Sequence, residues 1–400
     1  MRSILGVALA VGLAGTAWAG EFRLSGQAGG ELRFFPVAPQ FPDQLDDFQP
    51  SLRLEAALEW ESDDRRWLAV LNPFGRLDAR DGERTHADLR EAYVQYFGDG
   101  WDLTVGLNQV FFGVTESRHL VQIVNQVDFV EEIDEEDFLG EPMIRLSVDR
   151  DIGRFQVFVL PGVRLRTFPG ESGRFRAPVL IDDDVAEFES PLNRGATDFL
   201  FRYSNFFGDF DVGAYVFRGT TREPTIDFGA VDFTVDPPTL TPFFDQITQI
   251  GVDVQYTRGA WLWKLEGIFR SGQGPGFGAS VFGFEYTFFD IGGRGWDLGL
   301  LAEGQYDGRG VGTFPTAADN DLFLGTRFAF NDAADTAILA GSVTDLENGS
   351  TGIFVEAERR IAENWFIELE SRLFIQVDPT DGAALFQDDD VLQLRLTRFF

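Results

Sequence analysis

The last ten residues, Val391-Leu-Gln-Leu-Arg-Leu-Thr-Arg-Phe-Phe400, alternate between apolar and polar side chains. Because successive side chains of a strand point to opposite faces, Leu392, Leu394 and Leu396 share one face and Arg395 lies on the other. A strand of this kind at the end of a chain would be an unprotected edge in an open sheet. In a closed barrel it can pair with the first strand and turn its apolar face to lipid. The segment therefore predicts a closed barrel.

The same alternation recurs along the chain and predicts about 18 strands, with 16 as the alternative count. The predicted strands are 22–35, 48–61, 66–79, 87–97, 101–109, 141–150, 154–165, 197–206, 210–219, 248–257, 260–271, 277–289, 295–307, 321–331, 335–345, 350–361, 365–377 and 390–400.

The connections alternate between turns of two or three residues, such as 63–65 and 98–100, and long loops, such as 109–140, 166–196 and 220–247. This asymmetry is typical of bacterial outer-membrane barrels, with short turns in the periplasm and long loops outside. The predicted fold is all-β: a transmembrane antiparallel up-and-down β-barrel with both termini in the periplasm. A secreted sandwich or propeller is the alternative, but no linker or blade repeat supports it.

The N-terminus predicts a signal peptide over residues 1–19, with Arg2, an apolar stretch 4–15 and a small-x-small site at Ala17-Trp-Ala19. Residues 20–400 then form a single barrel, since no composition shift divides them. The chain has 42 Phe, 44 Gly and no Cys, which excludes a disulfide framework. Its net charge of −32 argues against a nucleic-acid partner, whose phosphates it would repel.

If the apolar faces meet lipid, the polar faces line the lumen, and so many charges must be hydrated or closely paired. Two interpretations of strands 350–361 and 365–377 remain open: a pore constriction of opposed charges, or a salt-bridge ladder that only stabilises the sheet. Mixed signs predict modest selectivity. The residues predicted to line the pore are Arg53, Arg145, Arg327, Glu356, Glu358, Arg360, Glu368, Glu370, Arg372 and Arg395.

The connection 109–140 is the candidate for a loop that folds into the pore. Its second half is an acidic loop whose side chains are of the kind that calcium binds, without the spacing of a known calcium loop. A solvated surface loop is the simpler interpretation. Together with 182–184 and 388–390, it predicts an electronegative mouth that concentrates cations. The acidic-loop residues are Asp128, Glu131, Glu132, Asp134, Glu135, Glu136 and Asp137.

Catalysis finds little support, since His86 and His119 are the only histidines and no carboxylate pair stands out. The sequence predicts no enzyme, no cofactor and no metal site.

The C-terminal strand ending in Phe400 resembles the assembly signal of Gram-negative outer-membrane proteins, with Arg398 as a departure on the lipid-facing side. The resemblance implies an outer-membrane location and recognition by the barrel-assembly machinery. The stretch Leu89-Arg-Glu-Ala-Tyr-Val-Gln-Tyr96, then Leu103-Thr-Val-Gly-Leu-Asn-Gln109 and Gly113, resembles 18-stranded porins of the alginate-export and related substrate-specific type. In that family the following loop enters the pore, and a basic residue usually stands where this chain has Asn108.

The expected function is an outer-membrane porin for passive diffusion of small hydrophilic solutes or ions, with weak cation preference. One alternative is a dedicated exporter or uptake channel for an anionic polysaccharide or another specific substrate, which would need a continuous basic lining. A second is a structural or adhesin barrel whose long loops bind a partner. The expected partners are outer-membrane lipid, small solutes and the assembly machinery, and oligomers are compatible with the sequence.

Overall fold

A computed structural model describes residues 20–309 and 319–400. It shows one sheet of 18 antiparallel strands, closed by pairing of the first with the last. The strands are β1 (Gly20–Phe34), β2 (Phe48–Ser62), β3 (Trp67–Asp78), β4 (His86–Gly98), β5 (Trp101–Asn108), β6 (Glu141–Arg150), β7 (Gly153–Pro161), β8 (Thr197–Phe207), β9 (Phe210–Thr220), β10 (Gln246–Arg258), β11 (Trp261–Gly272), β12 (Gly274–Phe288), β13 (Asp297–Asp307), β14 (Asp321–Ala329), β15 (Ala337–Asp345), β16 (Thr351–Ala362), β17 (Trp365–Ile375) and β18 (Val391–Phe399).

The predicted fold is confirmed, and every predicted strand overlaps one barrel strand. The bounds move by a few residues; β12, for example, begins at Gly274 instead of residue 277. Gly272 and Gly274 have φ of 107° and 68°, a region that favours glycine, and so allow a turn around Gln273. The predicted signal peptide, residues 1–19, lies outside the described residues.

Closure of the barrel depends on the C-terminal strand. β18 pairs with β1 in a register that sets Leu394 opposite Leu32 and Leu396 opposite Gly30. Phe400 and Gly26 exchange two backbone hydrogen bonds of 2.9 and 3.0 Å. The terminal strand therefore leaves no open edge, as the alternating pattern predicted.

The outer surface of the barrel carries the apolar faces of the strands. Leu52 and Leu54 on β2 are 62% and 55% exposed, and Leu392, Leu394 and Leu396 on β18 are also exposed. Aromatic rings gather beside the short turns: the ring centroids of Trp67 and Tyr96 are 4.7 Å apart, and those of Tyr96 and Trp101 are 5.4 Å apart. An apolar band edged by aromatic rings is the exterior of a membrane-spanning barrel.

The long loops pack over one end of the barrel. Arg174, in the loop after β7, is completely buried and donates to the carboxylate of Asp389 at 2.8 Å and to the carbonyl of Asp46 at 2.8 Å. Its guanidinium lies 4.7 Å from the ring centroid of Phe35. One side chain thus joins three loops. The helical segments of the described chain are short 3-10 turns, and none could cross a membrane as a helix.

Candidate functional site: the barrel lumen

The connection between β5 and β6, residues 109–140, makes its first set of contacts with β11. Glu266 on that strand accepts hydrogen bonds from the backbone N–H groups of Val114, Thr115 and Val121, at 2.7, 3.1 and 3.1 Å. The Thr115 hydroxyl donates to the same carboxylate at 2.7 Å. Because Glu266 is completely buried, these donors are what satisfies its charge.

A second set of contacts joins this connection to β13. Glu303 accepts from the backbone N–H of Glu116 at 2.9 Å and from the hydroxyl of Ser117 at 2.6 Å. Arg118 forms an ion pair of 3.0 Å with Asp307. The connection therefore reaches strands that are far from β5 and β6 in the sheet.

The acidic loop contacts the opposite arc of the wall. Arg76 on β3 donates three hydrogen bonds to the carboxylate of Glu131. Arg395 on β18 lies 3.3 Å from Glu132, and Arg372 on β17 lies 2.7 Å from Asp134. Three further arginine–carboxylate ion pairs are Arg33–Glu132 at 2.8 Å, Arg90–Asp128 at 2.7 Å and Arg166–Glu135 at 2.8 Å.

This segment is thus not the solvated surface loop that composition suggested. Asp128 and Glu131 are 0% and 2% exposed, and their charge is compensated by arginines of the barrel wall. Buried ion pairs of this kind hold position well, because removal of one partner leaves a buried charge and costs about 3–5 kcal/mol.

Between its two ends the connection packs on an apolar region of the wall, which the sequence reasoning missed. Its residues Leu120, Val121, Ile123 and Val124 are buried against inward-facing side chains of β6 to β12: Met143, Phe158, Leu160, Leu200, Tyr215, Phe217, Ile247, Ile268, Phe277, Ala279 and Val281. Burial of one such large side chain contributes about 1.5–3 kcal/mol. This side of the lumen is therefore filled by apolar side chains.

Glycine makes the apolar packing possible at one position. Tyr215 on β9 lies directly opposite Gly251 on β10. A Cβ at Gly251 would lie 2.2 Å from the Tyr215 ring, so no other residue fits there without displacement of the ring.

Two cavities on the other side of the lumen matter for passage through the barrel. The outer cavity, about 370 Å³, lies at the long-loop end and is lined by Ser350, Asp381 and Phe386 among others. The inner cavity, about 520 Å³, extends toward the short turns and is lined by residues of β14 to β18, including Ala337. Asp134 lines both cavities, so the acidic loop separates them.

The inner cavity is strongly acidic. Eight carboxylates line it against three arginines. The acids are Glu132, Asp134, Glu136, Asp137, Glu356, Glu358, Glu368 and Glu370, and the bases are Arg53, Arg327 and Arg395.

Like charges stand opposite each other on β16 and β17. The register pairs Glu356 with Glu370 and Glu358 with Glu368. Like charges at directly opposite positions destabilise a sheet, so these two opposed pairs contribute no cross-strand ion pair of their own. Arg372, on β17 itself, lies 2.7 Å from Glu370 and 4.0 Å from Glu356 on β16, and Arg395 on β18 lies 3.9 Å from Glu368.

Three of the predicted pore-lining residues lie outside the inner cavity. Arg372 lines the outer cavity. Arg145 donates to the hydroxyl of Thr104 at 2.9 Å on another arc of the wall. Arg360 pairs with Asp335 at a short turn. The other seven predicted residues are brought together in the inner cavity.

Charged loop groups have shifted pKa values. Burial would lower the pKa of His119, but the carboxylates of Glu136 and Glu266, 3.8 and 3.9 Å from its ring nitrogens, raise it to about 9. Burial, and then the negative charges of Glu131, Glu132 and others, raise the pKa of Asp137 to about 7. The charge of the inner cavity should therefore change near neutral pH.

His86, Asp128 and Glu131 bring ligand atoms within 4.8 Å of one another, the only such group of three in the described residues. Arg90 lies 2.7 Å from Asp128, and Arg76 lies 2.5 Å from Glu131. These arginines already compensate both carboxylates and would repel a metal ion, so charge balance does not favour a metal there.

No protein-family profile matches the chain, and no curated protein does. Among solved structures, the chain is similar to OccD3 (OpdP) of Pseudomonas aeruginosa, with a TM-score of 0.52 and 10% identity over 94% of this chain and 90% of that one. Variants of the Rh. blastica porin align over 95% of this chain and 100% of theirs, with a TM-score of 0.47 and 12% identity.

The fold thus defines a class, the closed transmembrane antiparallel β-barrels. Within that class the chain shares the fold of OccD3. Likeness at this identity concerns the fold and not the transported solute.

Proposed function

We propose that the protein is a Gram-negative outer-membrane porin for passive diffusion of small hydrophilic solutes or ions. The observation that supports this most is a pair of cavities with charged linings inside a closed barrel with an apolar exterior. Eighteen strands enclose more space than their own side chains fill. Short turns at the end that carries both chain termini support a periplasmic location for that end.

In this proposal the connection 109–140 is the constriction. It is held on one side by Glu266 and Glu303 and on the other by arginines of β1, β3 and β18. The narrow point lies where Asp134 and Arg372 meet between the two cavities. In this proposal a loop fixed at both sides narrows the path between the two cavities, which suits diffusion of small solutes.

We further propose a preference for cations. The excess of carboxylates in the inner cavity supports it, and so do the opposed pairs Glu356–Glu370 and Glu358–Glu368. A sheet that keeps like charges in register at an energetic cost is consistent with a functional acidic wall. The dedicated exporter of an anionic polysaccharide is less well supported, because wall arginines such as Arg76 are occupied by carboxylates and form no continuous basic lining.

The test is single-channel recording in planar bilayers with a potassium chloride gradient. We expect open channels whose reversal potential indicates cation preference. Glu358→Gln/Glu368→Gln should reduce that preference, because two charges leave the inner cavity. The matched control is Glu363→Gln in an exposed short turn, which should leave the reversal potential unchanged. A sealed pore, or anion preference in the unaltered protein, would contradict the proposal.

A further inference from the structure

Two buried acidic side chains face each other at the long-loop end of β14 and β15, and three more carboxylates lie in the adjoining loops. We call Asp319, Asp321, Asp345, Glu347 and Asp381 the rim cluster. Asp321 opens β14 and Asp345 ends β15, and the register sets them directly opposite each other. The side-chain amide of Asn320 donates to Glu347, which brings the segment that carries Asp319 to the loop after β15.

The rim cluster lacks the positively charged partners that other buried acids of this barrel have. Asp321 and Asp345 are 3% and 7% exposed. Oδ2 of Asp321 is buried and has no hydrogen-bond partner in the part of the chain that the structure describes. The neighbouring Asp307, in contrast, pairs with Arg118 and Arg309.

No arginine or lysine forms an ion pair with the cluster within residues 20–309 and 319–400, whereas Asp307 has two arginine partners and Asp128 has Arg90. Residues 310–318 contain neither residue type, so they cannot supply the missing charge. Isolated buried carboxylates are strongly unfavourable, so the cluster calls for a cation or a proton.

The cluster is held in place by its own loops. The carboxylate of Asp345 accepts from the backbone N–H of Glu347 at 2.6 Å and of Asn348 at 3.1 Å. The side-chain amide of Asn348 donates to both Asp345 and Asp381. These bonds fix two of the carboxylates without neutralising them.

A neutral oxygen completes the surroundings. Oε1 of Gln305 is buried and lacks a hydrogen-bond partner among the described residues. The β13–β14 ladder pairs Gly304 with Leu322, and its next step brings Gln305 beside Asp321. Gln305, Asp321, Ser350 and Asp381 all line the outer cavity, so an ion has access from that side.

We propose that the rim cluster binds a divalent cation, with calcium as the preferred ion. The donors are all oxygen, which suits a hard cation, and calcium accepts irregular shells completed by water better than magnesium does. Asp321 and Asp345 bind it directly, and Asp319 and Asp381 bind through water. The ion joins residues 319–320, before β14, to the loops 346–350 and 376–390 at the outer mouth, independently of what passes through the lumen.

The experiment uses the full-length barrel in detergent, stripped with a chelator, and titrated calorimetrically with calcium chloride at near-physiological ionic strength. We expect one calcium ion per chain, a higher melting temperature with calcium, and weaker binding of magnesium. Asp321→Asn/Asp345→Asn should lose at least about tenfold in affinity. The matched control, Asp99→Asn/Asp209→Asn, removes two exposed charges at the opposite end of the barrel and should bind as the unaltered protein does.

Two results would overturn the proposal. One is calcium binding that survives Asp321→Asn/Asp345→Asn, which would indicate nonspecific screening of the acidic surface. The other is no calcium binding by the unaltered protein, with a higher melting temperature in the double variant, which would indicate a proton shared by Asp321 and Asp345. If the double variant does not fold, Asp381→Asn decides: it should weaken calcium binding, and unchanged affinity would count against the site.

Discussion

At the scale of single residues, Glu266 is the side chain that binds the connection 109–140 to the barrel wall, and its substitution should be most informative. Its carboxylate accepts hydrogen bonds from three backbone N–H groups and one hydroxyl of the connection 109–140. Glu266→Gln replaces one acceptor oxygen by a donor that faces N–H groups. We expect a loss of about 2 kcal/mol in the free energy of unfolding, measured by urea titration in detergent, and larger current fluctuations in single channels.

The matched control for this change is Glu285→Gln. Glu285 lies on β12, and its ion pair is with Arg327 at 3.7 Å instead of with loop backbone. The Glu285→Gln variant should show the same single-channel current fluctuations as the unaltered protein. Equal fluctuations in both variants would argue against Glu266 as an anchor of the constriction.

His119 is a single residue that should make the stability of the protein depend on pH. Its pKa is raised to about 9 by Glu136 and Glu266, against an ordinary value of 6.5. The protonated His119 ring beside these two carboxylates stabilises the fold, and this contribution to the free energy of unfolding is fully present below about pH 6.5. It is lost as the pH rises through 9, because the ring then loses its proton. We therefore expect the unaltered protein to lose more stability between pH 7 and pH 10 than His119→Gln does, as measured by urea titration across that range. If stability falls equally with pH in the unaltered protein and in His119→Gln, Glu136 and Glu266 do not hold a protonated His119.

At the scale of elements, the connection 109–140 is expected to set the width of the path. Replacement of its part 113–137 by a short Gly-Ser linker should raise single-channel conductance, because the segment that separates the two cavities is removed. Stability should fall as well, since the apolar side chains on β6 to β12 lose their cover.

Deletion of residues 229–235 is the control for the replacement of residues 113–137. These residues form an exposed tip of the loop after β9 and contact neither cavity. Conductance should be unchanged by their removal. Unchanged conductance in the 113–137 variant too would mean that the narrowest point lies elsewhere.

At the scale of the whole molecule, closure of the sheet predicts resistance to detergent. The β1–β18 pairing leaves no edge from which unfolding can begin, and the apolar exterior is compatible with micelles. The unboiled protein should migrate faster in a denaturing gel than the boiled protein. Substitution of Leu394 and Leu396 by proline, which cannot donate to the ladder, should abolish that difference. Mobility independent of boiling in the unaltered chain would contradict a closed barrel.

The barrel itself could be predicted from the sequence, because a period of two is a local property. Each strand shows its own apolar and polar faces, and the final strand 391–400 already implied closure. The inward position of the glutamates on β16 and β17 was predictable for the same reason, and seven of the ten predicted pore-lining residues meet in one cavity. The excess of acids there was not predicted, because mixed signs were expected from these strands. Arg360 was assigned to the wall by face alone, whereas its height along β16 brings it to Asp335.

The tertiary structure alone decided which part of the lumen is open. Runs such as Val157-Phe-Val-Leu160 are apolar on both faces, a visible signal that one side of the barrel is filled by apolar side chains, but they do not show what covers it. The partners of the acidic loop, Arg76 and Arg395 among them, lie far away in the sequence. Periodicity within a strand fixes which way a side chain points; only closure of the sheet determines which distant side chain it meets.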